Sequence, residues 1–297
     1  MIQKVNDRIS VIFTEEGFTK SNALFVEDDL RVMIDSGPGN IIQEIKPENV
    51  DILLNSHCHL DHIWDNDRFI NSRIMFHPEE KKNLKNFRTI VPVEMWDSLM
   101  EGDPNSYLNT ILSMKESFLG EWRVDDTINE GDIISAGKTE ILVMHTPGHT
   151  AGHLSFFLPN DGLLFCGDIC LSKVGPWYGD KITPLDEFIK SIDRIIDMKP
   201  EKVVSGHNRE VLTENIKETF EEYRERIYKR EKKILNVLKK NKPLSINEMA
   251  SMFLIYPDHP SIFVLYWEKS MLVKHLRRLI NYGLAEETGD GKFTAKK

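Results

Sequence analysis

Short apolar runs separated by Gly, Pro, Asn and Asp fill most of the N-terminal two-thirds of the chain. Residues 9–13, 24–26 and 30–34 predict strands, the last ending at the Gly/Pro break Asp35-Ser36-Gly37-Pro38-Gly39. Residues 41–45 predict a short helix. Residues 51–56 (DILLNS) predict a buried strand that runs straight into His57. Strands resume at 140–145, 154–158 and 162–166. The last two are joined by Pro159-Asn160-Asp161-Gly162, which has the chemistry of a hairpin turn. A short strand at 203–205 leads to His207. Between these groups, residues 76–130 are richer in charge and carry Met and Trp at irregular spacing. They read as an excursion over the fold, helical at 79–86 and 96–118.

Helical periodicity then takes over. Thr183-Pro184 predicts a helix start, with Pro at the first helical position and Phe188, Ile189, Ile192, Ile195 and Ile196 as the apolar stripe. From Thr213 a long amphipathic helix is predicted, with Ile216, Phe220, Tyr223, Ile227, Ile234 and Leu238 on one side. Glu222–Arg226 and Glu225–Lys229 support it at i,i+4. Ser245 and Glu248 form a capping box, and a third helix over 262–281 stops at Gly283. Residues 285–295 predict a hairpin turning at Thr288-Gly289-Asp290-Gly291. The expected class is α+β, with a catalytic unit over 1–222 and a C-terminal unit over 223–297.

Composition narrows the function classes. The chain has 297 residues, 40% hydrophobic and 29% charged, as in ordinary soluble domains. No apolar run nears the ~18 residues of a membrane helix, and the first residues lack a signal-peptide core. Three cysteines fit free thiols in a reducing compartment, so a cytoplasmic location without membrane partners is expected. The net charge of −9 is uneven. Residues 225–297 hold 15 Lys and Arg against 8 Asp and Glu, a net +7, which leaves 1–224 at −16. The acidic part argues against a nucleic-acid-coating surface there.

Chemistry concentrates at strand ends. His57-Cys58-His59-Leu60-Asp61-His62 puts four metal-competent side chains, besides Cys58, directly after a buried strand. Extended alternation sends His57 and His59 to one side and Cys58 away. A following turn can bring Asp61 and His62 to a second position. Two imidazoles suit zinc, and a carboxylate with an imidazole suits a second zinc, iron or manganese. Pro147-Gly148-His149, Gly167-Asp168 and Gly206-His207 each follow an apolar run as well. Ends of neighbouring strands lie close together, so these residues are expected to converge. His145 and His153 read as supporting residues, and His275 as a packed surface residue on its helix. Cys166 and Cys170 have no matching pair for a separate zinc site.

HxHxDH followed by PGH, GD and GH resembles the motif series of the metallo-β-lactamase-fold hydrolases over most of residues 1–210, with Asp35-Ser36-Gly37 as an early strand-end element. The resemblance implies a four-layer αββα sandwich and two divalent metal ions, zinc first, with iron or manganese as alternatives. His57, His59 and His149 would hold one, Asp61, His62 and His207 the other, and Asp168 would bridge them. It further implies hydrolysis by a metal-bridging hydroxide, with Asp61 orienting the nucleophile or accepting a proton. The C-terminal helices and hairpin resemble the winged-helix domain of the lactamase-beta-2 type.

Asp168 argues against antibiotic hydrolysis, and the 38 residues between it and His207 leave no room for a β-CASP insertion. The expected substrate is a small-molecule thioester or other activated ester; the alternative is RNA, in an endoribonuclease guided by the basic stretch Lys229 to Lys240. A metal-sensing winged-helix regulator and a mononuclear iron oxygenase are less supported alternatives. Lys173, Trp177 and Tyr178 are candidate substrate-binding residues because they follow the Asp168 motif in a loop. The 76–130 excursion is expected to cover the site or to supply a contact in a homo-oligomer.

Overall fold

The computed structural model describes residues 1–16, 19–84, 98–100, 122–172, 174–180 and 182–296. Seven strands form the first sheet in chain order: β1 (Ile2–Lys4), β2 (Ile9–Ile12), β3 (Ala23–Glu27), β4 (Arg31–Ile34), β5 (Ile52–Leu54), β6 (Arg73–Phe76) and β7 (Asp126–Thr127). Pairing is antiparallel from β1 to β4 and parallel from β4 to β7. Helix α1 (Pro78–Asn83) follows β6. The second sheet has the order β12-β11-β10-β9-β8, from β8 (Ile133–Ser135), β9 (Glu140–His145), β10 (Leu154–Leu158), β11 (Leu163–Phe165) and β12 (Lys202–Val204). The β9–β10–β11 meander is antiparallel, and β12 joins parallel to β11.

The period-two pattern sorts side chains between layers. In β3, Leu24 and Val26 face a core shared with Val143, Phe156 and Phe165 of the second sheet. Ala23 and Phe25 face the other way, onto Ile42 and Ile45 of a 3-10 helix (Gly39–Ile45) and onto Phe69. The outer face of the second sheet, through Met144, Leu164 and Val203, packs on α2 (Leu185–Met198) and α3 (Ile216–Lys240). Layer, sheet, sheet, layer is the expected αββα sandwich. Pro184 is the residue just before α2 and not its first helical residue.

The C-terminal unit holds α4 (Ile246–Ala250), α5 (Ile262–Asn281) and the hairpin of β13 (Ala285–Glu287) and β14 (Phe293–Ala295). Ser245 caps α4 through the expected capping box. Helix α3 serves both regions. Phe220, Tyr223 and Ile227 enter the core under the second sheet, while Ile234 and Leu238 enter a core with Leu272, Leu276 and Phe293. Residue 222 lies inside this helix. The helical piece expected at 96–118 falls mostly outside the described residues; Leu99 and Met100 pack with Tyr266 of α5. No helix of the described residues is long and apolar enough to cross a membrane.

Candidate metal centre

Loops after β5, β9, β11 and β12 bring the predicted residues to one edge of the two sheets. Among the described residues, two groups could hold a metal ion: His57, His59, His149 and Asp168, and Asp61, His62, Asp168 and His207. In each group every pair of ligand atoms lies within 4.8 Å. Asp168 belongs to both. Its Oδ1 is 3.0 Å from His62 Nε2 and 3.2 Å from His207 Nε2, while its Oδ2 is 3.2 Å from His149 Nε2. Asp61 completes the second group, 3.2 Å from His207 Nε2.

Hydrogen bonds behind the cluster fix which ring nitrogen points inward. His62 donates from Nδ1 to Asp35 at 2.7 Å. Ser56 donates its hydroxyl to Asp35 at 2.7 Å and takes His57 Nδ1 at 3.0 Å. His149 Nδ1 donates to the carbonyl of Trp177 at 3.1 Å. Each leaves the other ring nitrogen, Nε2, pointing toward the centre, where a metal ion or a proton can take it. His149 Nε2 then stands 2.8 Å from His59 Nδ1. His57 Nε2 is fully buried and has no hydrogen-bond partner among the described residues. Lone pairs and carboxylate oxygens converging in a buried space call for a cation. The donor set therefore fits a divalent metal.

Electrostatics agrees. Burial opposes the charged form of His62, but Asp168, Asp61 and Asp35 outweigh it and raise the imidazole to about 10. His207 is likewise held well above the ordinary range despite burial, by Asp168 and Asp61. Burial pushes His57 well down, and the neighbouring imidazoles of His62, His59 and His149 push it further. Burial also opposes ionisation of Asp168, yet His207, His62 and His149 hold it well below the carboxylate range. The carboxylate side of the cluster thus favours positive charge, while burial disfavours the charged form of His57 and His149 and leaves their lone pairs to donate.

Small residues allow this crowding. A Cβ on Gly206 would lie 2.6 Å from Asp168 Oδ1 and 2.7 Å from His62 Cε1. Gly148 has φ +140, and a Cβ there would meet Phe188 of α2 at 2.2 Å, so the turn presenting His149 sits directly on that helix.

Among the supports, sequence reasoning expected His153, gave Asp35 no role and missed Glu80. Glu80 on α1 is fully buried. It accepts from Cys58 N at 3.0 Å, Thr150 Oγ1 at 2.7 Å and Gly152 N at 2.7 Å, tying the first histidine motif to the loop of His149. In sequence it belongs to a Pro-Glu-Glu-Lys-Lys run that reads as a solvated helix. Asp35 had a signal, because it ends an apolar strand as the ligands do. His153 supports Asp168, accepting from its backbone N–H at 2.9 Å.

Trp177 lies against the cluster, its ring 5.0 Å from that of His149 and 5.3 Å from that of His59. Tyr178 corrects the expectation of a pocket residue. It is 1% exposed and its hydroxyl meets His275 at 2.7 Å, because the chain direction alternates and turns it into the core. His275 is itself fully buried and not on the surface. Lys173 lies outside the described residues. Trp64 packs under Lys20 Nζ, 3.1 Å from its ring centroid.

Comparison with known proteins accords with this geometry. The model of the Metallo-beta-lactamase superfamily matches residues 17–207. A Beta-lactamase-like protein 2 homolog of Drosophila melanogaster is 25% identical over 240 residues, 77% of this chain and 72% of that protein. Its namesake in Caenorhabditis elegans is 27% identical over 133 residues, and there the match spans 45% of this chain and only 42% of the relative's length. A hydroxyacylglutathione hydrolase of Chelativorans sp. (strain BNC1) is 44% identical over 45 residues, 15% of this chain and 18% of that one. The crystal structure of a metallo-beta-lactamase family protein from Thermus thermophilus superposes with a TM-score of 0.78 at 18% identity, covering 99% of this chain and 100% of that one.

Proposed function

The chain belongs to the metallo-beta-lactamase superfamily, and from that premise we propose that it is a metal-dependent hydrolase that uses two divalent ions, zinc by its ligand set, to hydrolyse a thioester or another activated small-molecule ester. The observation that carries the two-ion reading is Asp168, which turns one oxygen to each histidine group. His57, His59 and His149 would hold one ion and Asp61, His62 and His207 the other, with Asp168 shared. Such ions supply water activated at neutral pH and a Lewis acid for the substrate oxygen.

The chain's own residues set the rest. Asp61 is the more exposed of the two clustered carboxylates, its side chain 20% accessible against 9% for Asp168. Burial opposes its charge, but His62 and His207 hold it ionised below the usual range. Its exposure and its charge place it to orient a water as a hydrogen-bond acceptor. Trp177 lies beside His59 and His149, where its ring would flank an acyl group. The short match to a hydroxyacylglutathione hydrolase supports a thioester. The net charge of −16 over residues 1–224 also supports a small substrate over a polyanion.

A second reading, RNA cleavage, draws on one observation. Lys229, Lys232, Lys233, Lys239 and Lys240 stand exposed along α3, a basic row suited to phosphates. Zinc per chain after equilibrium dialysis, together with thiol release from a hydroxyacyl-glutathione thioester, tests both. Two zinc ions are expected, with turnover falling about 100-fold or more in Asp61→Ala. Zinc binding without thioester turnover, accompanied by Asp61-dependent cleavage of a single-stranded RNA, would transfer the assignment to the second reading. A protein that binds no zinc would overturn both.

A further inference from the structure

Arg230 lies in the middle of α3 and is 7% exposed. Its guanidinium ends on one loop. Nη1 donates to the carbonyl of Pro176 at 2.6 Å and to the hydroxyl of Tyr178 at 3.2 Å, and Nη2 donates to the carbonyl of Val174 at 3.0 Å. Gly175 has φ +97, and a Cβ there would lie 3.0 Å from Nη2, so the loop backbone rests directly on the cation. Between Pro176 and Tyr178 stands Trp177, whose carbonyl accepts from His149 Nδ1. The loop is thus pinned on both sides of the carbonyl that orients the metal-facing imidazole of His149.

We propose that Arg230 is a positioning residue of the metal centre: by clamping residues 174–178 it holds the Trp177 carbonyl where it keeps His149 in the tautomer that presents Nε2 to the cluster. The inference rests on the metal-binding reading above. Burying a guanidinium costs free energy unless protein acceptors replace water, and here the loop brings three. The dependence is mutual, because without the guanidinium two carbonyls and a phenol lose a donor. From the far side Tyr178 passes the restraint to α5, donating to His275 Nε2 at 2.7 Å while accepting from Arg230. Burial keeps that imidazole below its ordinary range, which leaves Nε2 able to accept. The C-terminal helices therefore support the site through backbone geometry.

The test uses the full-length protein and two readouts besides activity. Ring-nitrogen NMR of the metal-free protein, with His149 assigned by difference against His149→Ala, reports the tautomer. Competition with a chromophoric chelator reports zinc affinity. The unaltered protein is expected to show His149 protonated at Nδ1. Arg230→Met is expected to show mixed tautomers and about 10–100-fold weaker zinc binding, the usual effect of losing the support behind a ligand. Arg278→Met is the structural control, since Arg278 bonds Asp186 and Glu231 and not the loop; it should lower stability and leave both readouts unchanged. Arg230→Lys keeps the buried charge but cannot span three acceptors, and it should show the same changes at smaller size, which carries the test if Arg230→Met does not fold. An unchanged tautomer and affinity in a folded Arg230 variant would overturn the proposal, as would an equal loss in Arg278→Met. If the unaltered protein binds no zinc, the functional reading fails on its own, and the tautomer measurement still decides the role of Arg230.

Discussion

The imidazole of His62 and the carboxylate of Asp35 are both wholly buried, and Nδ1 of the one stands 2.7 Å from Oδ2 of the other. Asp35 also accepts from Ser56 N and Ser56 Oγ, each at 2.7 Å, so one carboxylate orients His62 directly and His57 through the serine. It does this from φ 61, a left-handed conformation that Asp and Asn tolerate. Asp35→Asn should therefore fold, and it removes the charge together with one acceptor, because its amide NH2 must face one of these donors. We expect zinc affinity to fall about 10–100-fold, read by chelator competition. Unchanged affinity would show that the pair serves only packing.

Glu80 is the second hidden support, where three donors from two ligand loops meet. Glu80→Ala leaves those buried donors unsatisfied, at about 1–3 kcal/mol each before relaxation. The urea midpoint and the zinc affinity should drop together. Glu80→Gln retains one carbonyl oxygen and should fall between the two. A variant as stable as the parent, with full zinc affinity, would remove Glu80 from the account of the site.

Acid should weaken the fold through its buried histidines. Burial lowers His77 to about 4, with help from the stacked His145, and burial lowers His153 to about 3. Both folded values lie below the ordinary 6.5, so the unfolded chain binds more protons in between. Their contribution is present above about pH 6.5 and is lost as pH falls toward 4 and then 3. In chelator-treated protein, stability should decline from about pH 7 to about pH 5, and less steeply in His77→Asn, which keeps an acceptor for the cap of α1. Equal slopes in the two proteins would contradict this.

Lys274 acts with the same sign at the alkaline end. It is 4% exposed, donates to the carbonyl of Thr183 at 2.6 Å, and is lowered by burial to about 8, partly offset by Asp180. Between pH 8 and 10.5 the unfolded chain binds the extra proton, so stability attributable to this group rises with pH across that window. Below about pH 8 the burial penalty is present in full, of the order of 3 kcal/mol. Lys274→Met should raise the melting temperature at neutral pH and flatten the profile between pH 8 and 10.5. A variant less stable at neutral pH would mean that the ammonium's bond to Thr183 outweighs its desolvation.

The ligands were legible because each follows an apolar run, and neighbouring strands must end together. His57, His149, Asp168 and His207 needed no more than that. Layering was legible for the same reason, since Leu24 and Phe25 differ only in which side of a pleat they occupy. What escaped was every residue whose role depends on contacts distant in sequence. Glu80 reads as one more charge in a charged helix until Cys58 and Gly152 are seen around it. Tyr178 and Trp177 are adjacent and both aromatic, yet one faces the core and the other the ligands. Arg230 sits among exposed lysines on α3 and differs from them only in that a loop, rather than water, receives its guanidinium.

Helix α3 works as a shaft common to two machines. Its first half is sealed under one sheet by Phe220, Tyr223 and Ile227, and its second half is sealed against α5 and the hairpin by Ile234 and Leu238. Neither half can melt without uncovering the other's apolar surface, so both regions should share a single unfolding transition. A protease that cuts within this rod would not release a working catalytic fragment. It would open both cores at one stroke.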